Sequence, residues 1–197
     1  FAHYDHVLNS SLYLGIVPKR FIFKSAEIAG DLDLEFSIAR GKSDGCCQCA
    51  ASDMTKWFNT NYHYLVPELD NESEFNVNIG ALLAQINEAK QVSHQIKPVL
   101  VGPLTYLYLS DYRGENKLDL LNKITLAYQQ IFVQLNQAQV NWLQIDEPIL
   151  GSELNNQWLQ AFKSVYGALT KGDLKLLLTT YFASIDHHLP LINTLNV

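Results

Sequence analysis

Val140–Pro148, VNWLQIDEP, decides the fold: an apolar and aromatic run through Ile145, then two carboxylates and a proline that ends any ladder. It reads as a buried strand with a polar tip. Upstream, LDLLNKITLAYQQIFVQLNQAQ sets Leu118, Leu121, Ile124, Tyr128, Ile131 and Leu135 mostly three or four positions apart, the single buried stripe of a helix. Before it, KPVLVGP (Lys97–Pro103) is a second short apolar run, closed by Gly-Pro. Downstream, NNQWLQAFKSVYGALT reads as a helix ending near Gly172, LKLLLTTYF as a third strand, and SIDHHLPLINTL as a short helical segment broken by Pro190.

These strands start near residues 98, 141 and 174, with a helix in each gap. That period implies parallel strands joined by right-handed crossovers. Leu174–Leu178 is apolar on both faces, as suits a parallel sheet covered by helices. In the first half, HYDHVLNSSLYLGIVP reads as a helix stopped at Gly15 and Pro18. GDLDLEFSIARG reads as a helix capped by Asp31 and leaving at Gly41. Asp53–Phe58 is taken as the first strand, with Tyr62–Val66 as a competing choice, and NIGALLAQINEAKQV as the helix before Lys97. No linker or internal boundary interrupts residues 1–197. The fold class is α/β, either an open doubly wound sheet or a (βα)8 barrel. A whole barrel takes about 250 residues, so four strands imply an incomplete TIM-type barrel with parallel strands and outer helices. The sole methionine is Met54, which leads us to expect further chain ahead of Phe1.

The 197 residues are 48% hydrophobic, enough for a real core, and 14 basic against 20 acidic residues give a net charge of −6. With no basic cluster, nucleic acid is not an expected partner. No apolar run approaches the roughly 20 residues of a membrane helix, and the start is not a signal peptide. A cytoplasmic protein is expected. Cys46, Cys47 and Cys49 crowd into a Gly/Ser/Cys loop. Their spacing suits neither a disulfide framework nor a closed zinc site, so free thiols in a reducing compartment are expected.

Function in parallel α/β folds gathers at the carboxyl ends of the strands. The polar residues there are Asn59-Thr60-Asn61, Gly102-Pro103 with Thr105, then Gln144, Asp146 and Glu147, and lastly Thr179-Thr180-Tyr181. Asp146 and Glu147 could serve as general acid and base. As neighbours on a strand they point to opposite sides, so one of them is expected to hold loop amides instead. Lys56 alternates onto the face of Met54 and Phe58, and an unpaired buried ammonium is very costly. It therefore needs either a salt bridge to Asp53, Asp146 or Glu147, or a ligand carboxylate or phosphate at the open end. The histidines do not group as metal ligands, and no phosphate loop, G-x-S-x-G elbow or zincin signature is present.

ARG (Ala39–Gly41), MTKWFNTNYHYLVPEL, KPVLVGPLTYLYLS, WLQIDEPIL, KLLLTTYF and the opening FAHYDHVLNSSLYLGIVP together resemble the amino-terminal barrel of cobalamin-independent methionine synthase. The likeness runs from Phe1 to Val197. MTKWFNTNYHY is its most specific block, whereas QIDEP recurs in both halves of that family. The resemblance implies one of two face-to-face (βα)8 barrels in a methyltransferase. That enzyme moves a methyl group from 5-methyltetrahydropteroyltriglutamate, a folate polyglutamate, to homocysteine. It implies that Lys56 contacts the polyglutamate tail and that Asn61 lies nearby, with Asn59, Asp146 and Glu147 only at the barrel mouth. The family's zinc and its homocysteine pocket belong to the carboxy-terminal barrel. This piece is therefore expected to bind no cofactor, carry no catalytic residue and be inactive alone. Its Arg-Glu-Leu-Lys folate segment is absent from this sequence, and the cysteine-rich loop departs from the family. Bare barrel edges would invite self-association. Two other readings stay open: a non-catalytic scaffold barrel, and a stand-alone barrel lyase or decarboxylase with Asp146 or Glu147 as base.

Overall fold

The computed structural model describes residues 2–22, 32–44, 47–93 and 95–197. Its helices are α1 (His6–Tyr13), α2 (Leu32–Arg40), α3 (Gly80–Val92), α4 (Pro103–Leu109), α5 (Leu121–Gln137), α6 (Asn156–Ala168) and α7 (Leu189–Ile192). Its strands are β1 (Lys42–Asp44), β2 (Cys47–Cys49), β3 (Met54–Lys56), β4 (His63–Leu65), β5 (Glu68–Asp70), β6 (Val99–Val101), β7 (Asp111–Arg113), β8 (Trp142–Asp146) and β9 (Lys175–Thr179). The expected Asp31 cap and Cys46 lie outside the described residues.

The centre is the parallel sheet β6-β8-β9, with Val101 opposite Asp146 and Asp146 opposite Thr179. Its strands are the three read from the apolar runs, and helices α5 and α6 fill the gaps. On α5 the buried set is Ile124, Ala127, Tyr128, Ile131, Phe132 and Leu135, a stripe at helical spacing. These side chains join Leu143, Ile145, Phe162 and Tyr166 in one core. Tyr128 donates its hydroxyl to the Val101 carbonyl, pinning α5 to β6.

One face of this sheet is covered throughout, and the other only at its carboxyl end, where α1 packs on β6 and buries Val101. Leu100, Leu143, Ile145 and Leu176 are buried, whereas Val99, Trp142 and Leu177 on the other face are 49%, 43% and 40% exposed. The apolar run of β9 is thus packed by helices on the side of Leu176, while Leu177 on the other side stays open. A mixed α/β fold with parallel sheets is present, and no closed barrel forms among the described residues. A second parallel pair, β5 with β7, stands apart from the central sheet.

The expectation of a parallel strand at Asp53–Phe58 is corrected. Met54–Lys56 pairs antiparallel with His63–Leu65, so both competing segments contribute strands to one hairpin, and Asn59-Thr60-Asn61 lies within its loop. Trp57 N–H donates to the Tyr62 carbonyl at 2.7 Å, and the Thr60 hydroxyl bonds the Trp57 carbonyl at 2.6 Å. These local bonds turn the chain back before a longer strand can form. The parallel strand in this region is Glu68–Asp70, beyond Pro67. The cysteine-rich loop also differs from expectation, because Cys47–Cys49 pairs antiparallel with Lys42–Asp44. Pro190 opens α7 rather than breaking a helix, since the first helical turn needs no N–H there. Helix α4, absent from the sequence reading, begins at Pro103 itself, and strand β7, also unread, follows it after Ser110.

Candidate functional site

Asp146 and Glu147 leave β8 in opposite directions. Glu147 is fully buried behind the sheet. Its carboxylate accepts from the Leu104 and Thr105 amides at 3.1 and 2.7 Å, the Thr105 hydroxyl at 2.6 Å and the Tyr166 hydroxyl at 2.9 Å. It therefore caps α4 and ties that helix to α6, favourable for an anion at a helix N-terminus. Burial nevertheless pushes its carboxyl up to about 7, against the pull of those donors. Glu147 does not open onto the mouth as the sequence reading placed it, and with no solvent access it cannot reach a substrate proton. A β-carbon on Gly102 would lie 2.2 Å from the Glu147 carboxyl, so the Gly of Gly-Pro is there to make room for that side chain.

Asp146 faces the other way, onto the side of the sheet where α1 lies, and is itself largely buried. It accepts from the Gln144 amide at 2.8 Å and the Tyr181 hydroxyl at 3.2 Å, and Lys97 donates to Gln144. A hydrogen-bonded line thus climbs the open face of β8 from Lys97 to Tyr181. Beside it lies a cleft of about 1040 Å³ between α1, α3 and β6, lined by His6, Asn9, Tyr13, Ile86, Val99 and Asp146 among others.

The hairpin sits at the same end. Asp5 holds it: one carboxylate oxygen caps α1 through the Val7 and Leu8 amides at 2.8 Å, and the other accepts the Leu65 amide of β4 at 3.0 Å. Tyr64 donates to the Leu109 carbonyl at 3.1 Å, and burial pushes its hydroxyl up to about 12. Trp57 is buried against His6 and Tyr181, with ring centroids 4.3 and 6.4 Å away. His6 is held below the usual imidazole range, mainly through desolvation, against the attraction of Asp5 and Asp146. Between α1, the hairpin and the end of β9 lies a pocket of about 420 Å³ lined by Tyr4, His6, Trp57, Tyr62, Tyr181 and Phe182, with Ala2, Asp5 and His63.

Lys56 is exposed on β3, opposite His63, and makes no ion pair with Asp53, Asp146 or Glu147 among the described residues. Asn59 and Asn61 are exposed on the hairpin loop. The structure thus gathers Lys56, Asn59 and Asn61 on one hairpin and sets Asp146 below it, while Glu147 is turned away. The aromatic pocket was not read from the sequence. Its signal was the rings at the tips of two segments, Trp57 and Tyr62 in one and Tyr181-Phe182 in the other. Among the described residues no group of three His, Cys, Asp or Glu could hold a metal ion. No helix among the described residues is long and apolar enough to cross a membrane.

Comparison with known proteins bears on this site. A family model described as "Cobalamin-independent synthase, N-terminal domain" matches residues 1–197. A protein of Photobacterium profundum named 5-methyltetrahydropteroyltriglutamate–homocysteine methyltransferase is 50% identical over 199 residues, covering 100% of this chain and 25% of that protein. Proteins of the same name from Vibrio cholerae and Yersinia pestis are 50% and 48% identical, covering 94% and 100% of this chain. The chain spans about a quarter of the length of these curated relatives.

Proposed function

The chain belongs to the cobalamin-independent synthase family, within its N-terminal domain, and from that membership we propose that it is the folate-tail-binding portion of a methyltransferase making methionine. The substrates of this reading are 5-methyltetrahydropteroyltriglutamate and homocysteine, the two molecules in its relatives' name. The tail is a chain of carboxylates. Lys56 binds it through charge-assisted hydrogen bonds, and Asn61 and Asn59 add amide donors from the loop. Asp146 orients Tyr181 below them. The single observation that carries this reading is an exposed ammonium without an ion pair among the described residues, at the carboxyl end of a parallel sheet. Homocysteine and zinc lie with other parts of the protein, and the piece alone transfers no methyl group. The setting is the cytoplasm.

The same reading takes the fold as part of a (βα)8 barrel. It is supported by the outer edge of β6, which pairs with no further strand among the described residues and is where another strand of a barrel would join. In isolation, that edge would pair with a second copy instead.

The test is calorimetric titration of the full-length protein with the triglutamate and monoglutamate forms of the folate. The triglutamate binds more tightly, and Lys56→Ala weakens it by about 10- to 100-fold, the worth of a hydrogen bond to a charged group. Equal affinity for the two forms, with no effect of Lys56→Ala, would overturn the proposal.

A further inference from the structure

We propose that His3 and Glu35 form a pH-responsive clasp, which fastens helix α2 to the segment leading into α1 in mildly acidic solution and slackens in alkaline solution. The buried residues of α2 are Ile38 and, three positions earlier, Glu35. Ile38 packs with Leu8, Leu12, Phe21 and Leu65 in a small second core, as an inward-facing helical residue should. Glu35 lies on the same inward stripe but carries a carboxyl group. Its Oε2 has no hydrogen-bond partner among the described residues. Such an atom calls for a reason, because desolvating a polar group without compensation is costly.

The reason stands across a short gap. His3 places Nδ1 3.5 Å from that oxygen, within ion-pair range but beyond a good hydrogen bond. The Glu35 side chain is 5% exposed and that of His3 47%, so protons exchange with solvent at His3 while the consequence falls on Glu35. An imidazolium gives the carboxylate its counter-charge. A neutral ring leaves a buried anion without one, which is the costly half of a broken pair.

The other charged and titratable groups nearby do not supply that charge. Tyr13 of α1 faces Glu35, but its hydroxyl is bonded with Asn9; burial first, and Glu35 after it, raise that hydroxyl, so it stays a neutral phenol. Asp5 is spent on the Val7, Leu8 and Leu65 amides. On α2 itself Asp33 is another acid, and Arg40 turns to Tyr4, donating to its hydroxyl at 3.1 Å. Lys19 pairs with Asp70 and Glu72, and Arg20 with Glu68. Among the described residues no cation other than His3 pairs with Glu35. The Arg40–Tyr4 bond and the edge-to-face contact of Tyr4 with Phe36, centroids 5.5 Å apart, hold at either pH. Opening the clasp therefore loosens α2 without detaching it. The effect reaches the hairpin, because the Ser52 amide, two residues ahead of β3, donates to the Ile38 carbonyl at 2.9 Å.

The experiment is hydrogen exchange on the full-length protein at about pH 5 and about pH 8, the range over which histidine changes charge. Rates are expressed as protection factors, so that intrinsic exchange cancels. Protection at residues 36–40 and at Ser52, relative to Leu143 and Ile145, should be about three- to tenfold higher at the lower pH. His3→Gln should erase the difference by lowering protection in acid. His3→Lys, charged at both values, should erase it by raising protection in alkali. Glu35→Leu should erase it with α2 well seated throughout, since an apolar side chain suits that stripe. No pH difference in the unaltered protein, or one that survives both His3→Gln and Glu35→Leu, overturns the clasp.

Discussion

The central sheet and the hairpin at its mouth are held by different means. Strands β6, β8 and β9 are secured by a continuous parallel ladder and by a layer of fully buried side chains such as Leu143, Ile145 and Phe162. In the hairpin, all of β3 is exposed, each strand has three residues, and the attachments run through β4 and Trp57: Asp5 to Leu65, Tyr64 to Leu109, and the packing of Trp57, Tyr64 and Leu65. Elements with few buried contacts open at lower free energy than the core they rest on. The sheet is thus a platform, and the hairpin a separately adjustable part placed on it by point contacts.

The largest effect that would test this contrast belongs to Glu147, which serves the platform alone. Glu147→Gln keeps the shape but turns an amide donor toward existing donors. It should cost about 3 kcal/mol or more, read from the denaturant midpoint, because a buried network is left part-satisfied. The pH dependence has a definite sign. With its carboxyl raised to about 7 from 4.5, the folded protein keeps a proton that the unfolded chain has released. Stability therefore falls as pH rises through that window, and Glu147→Gln should flatten the fall. An unchanged midpoint would mean the pin is not part of the platform.

An intermediate effect is expected where the two regions meet. Asp5→Ala removes a helix cap and the acceptor of the Leu65 amide together, at a cost of about 2 kcal/mol. Hydrogen exchange should quicken at Leu65 well before it does at Leu143 or Ile145. Equal acceleration everywhere would show one cooperative unit and break the comparison. The smallest effect lies inside the loop. Thr60→Val deletes the hydroxyl that bonds both the Trp57 carbonyl and the Tyr62 amide. It should cost about 1 kcal/mol, confined to exchange at Tyr62.

The same contrast explains what was legible in the sequence. The platform was readable because apolar runs and helical stripes are local patterns: 97–103, 140–148 and 174–182 gave their strands, and Ile124 to Leu135 gave the helix between. Parallel pairing followed from spacing. The hairpin was not readable as such, since Asp53–Phe58 and Tyr62–Val66 looked like alternatives for one strand. Their pairing depends on a six-residue loop closed by Thr60 and on an aspartate some sixty positions away. For the site, alternation said that Asp146 and Glu147 part company but not which one faces outward. That is decided by the Thr105 and Tyr166 hydroxyls, whose positions only the folded chain fixes. Lys56 stood out by chemistry. The pocket beside it did not, because its rings come from three separate segments.

Gly102 carries a consequence beyond its turn. The place where its β-carbon would sit is occupied by the carboxyl group of Glu147, so positions 102 and 147 compete for one small volume. A methyl at the first demands a shorter side chain at the second, and the two sites are free to drift only as a matched pair.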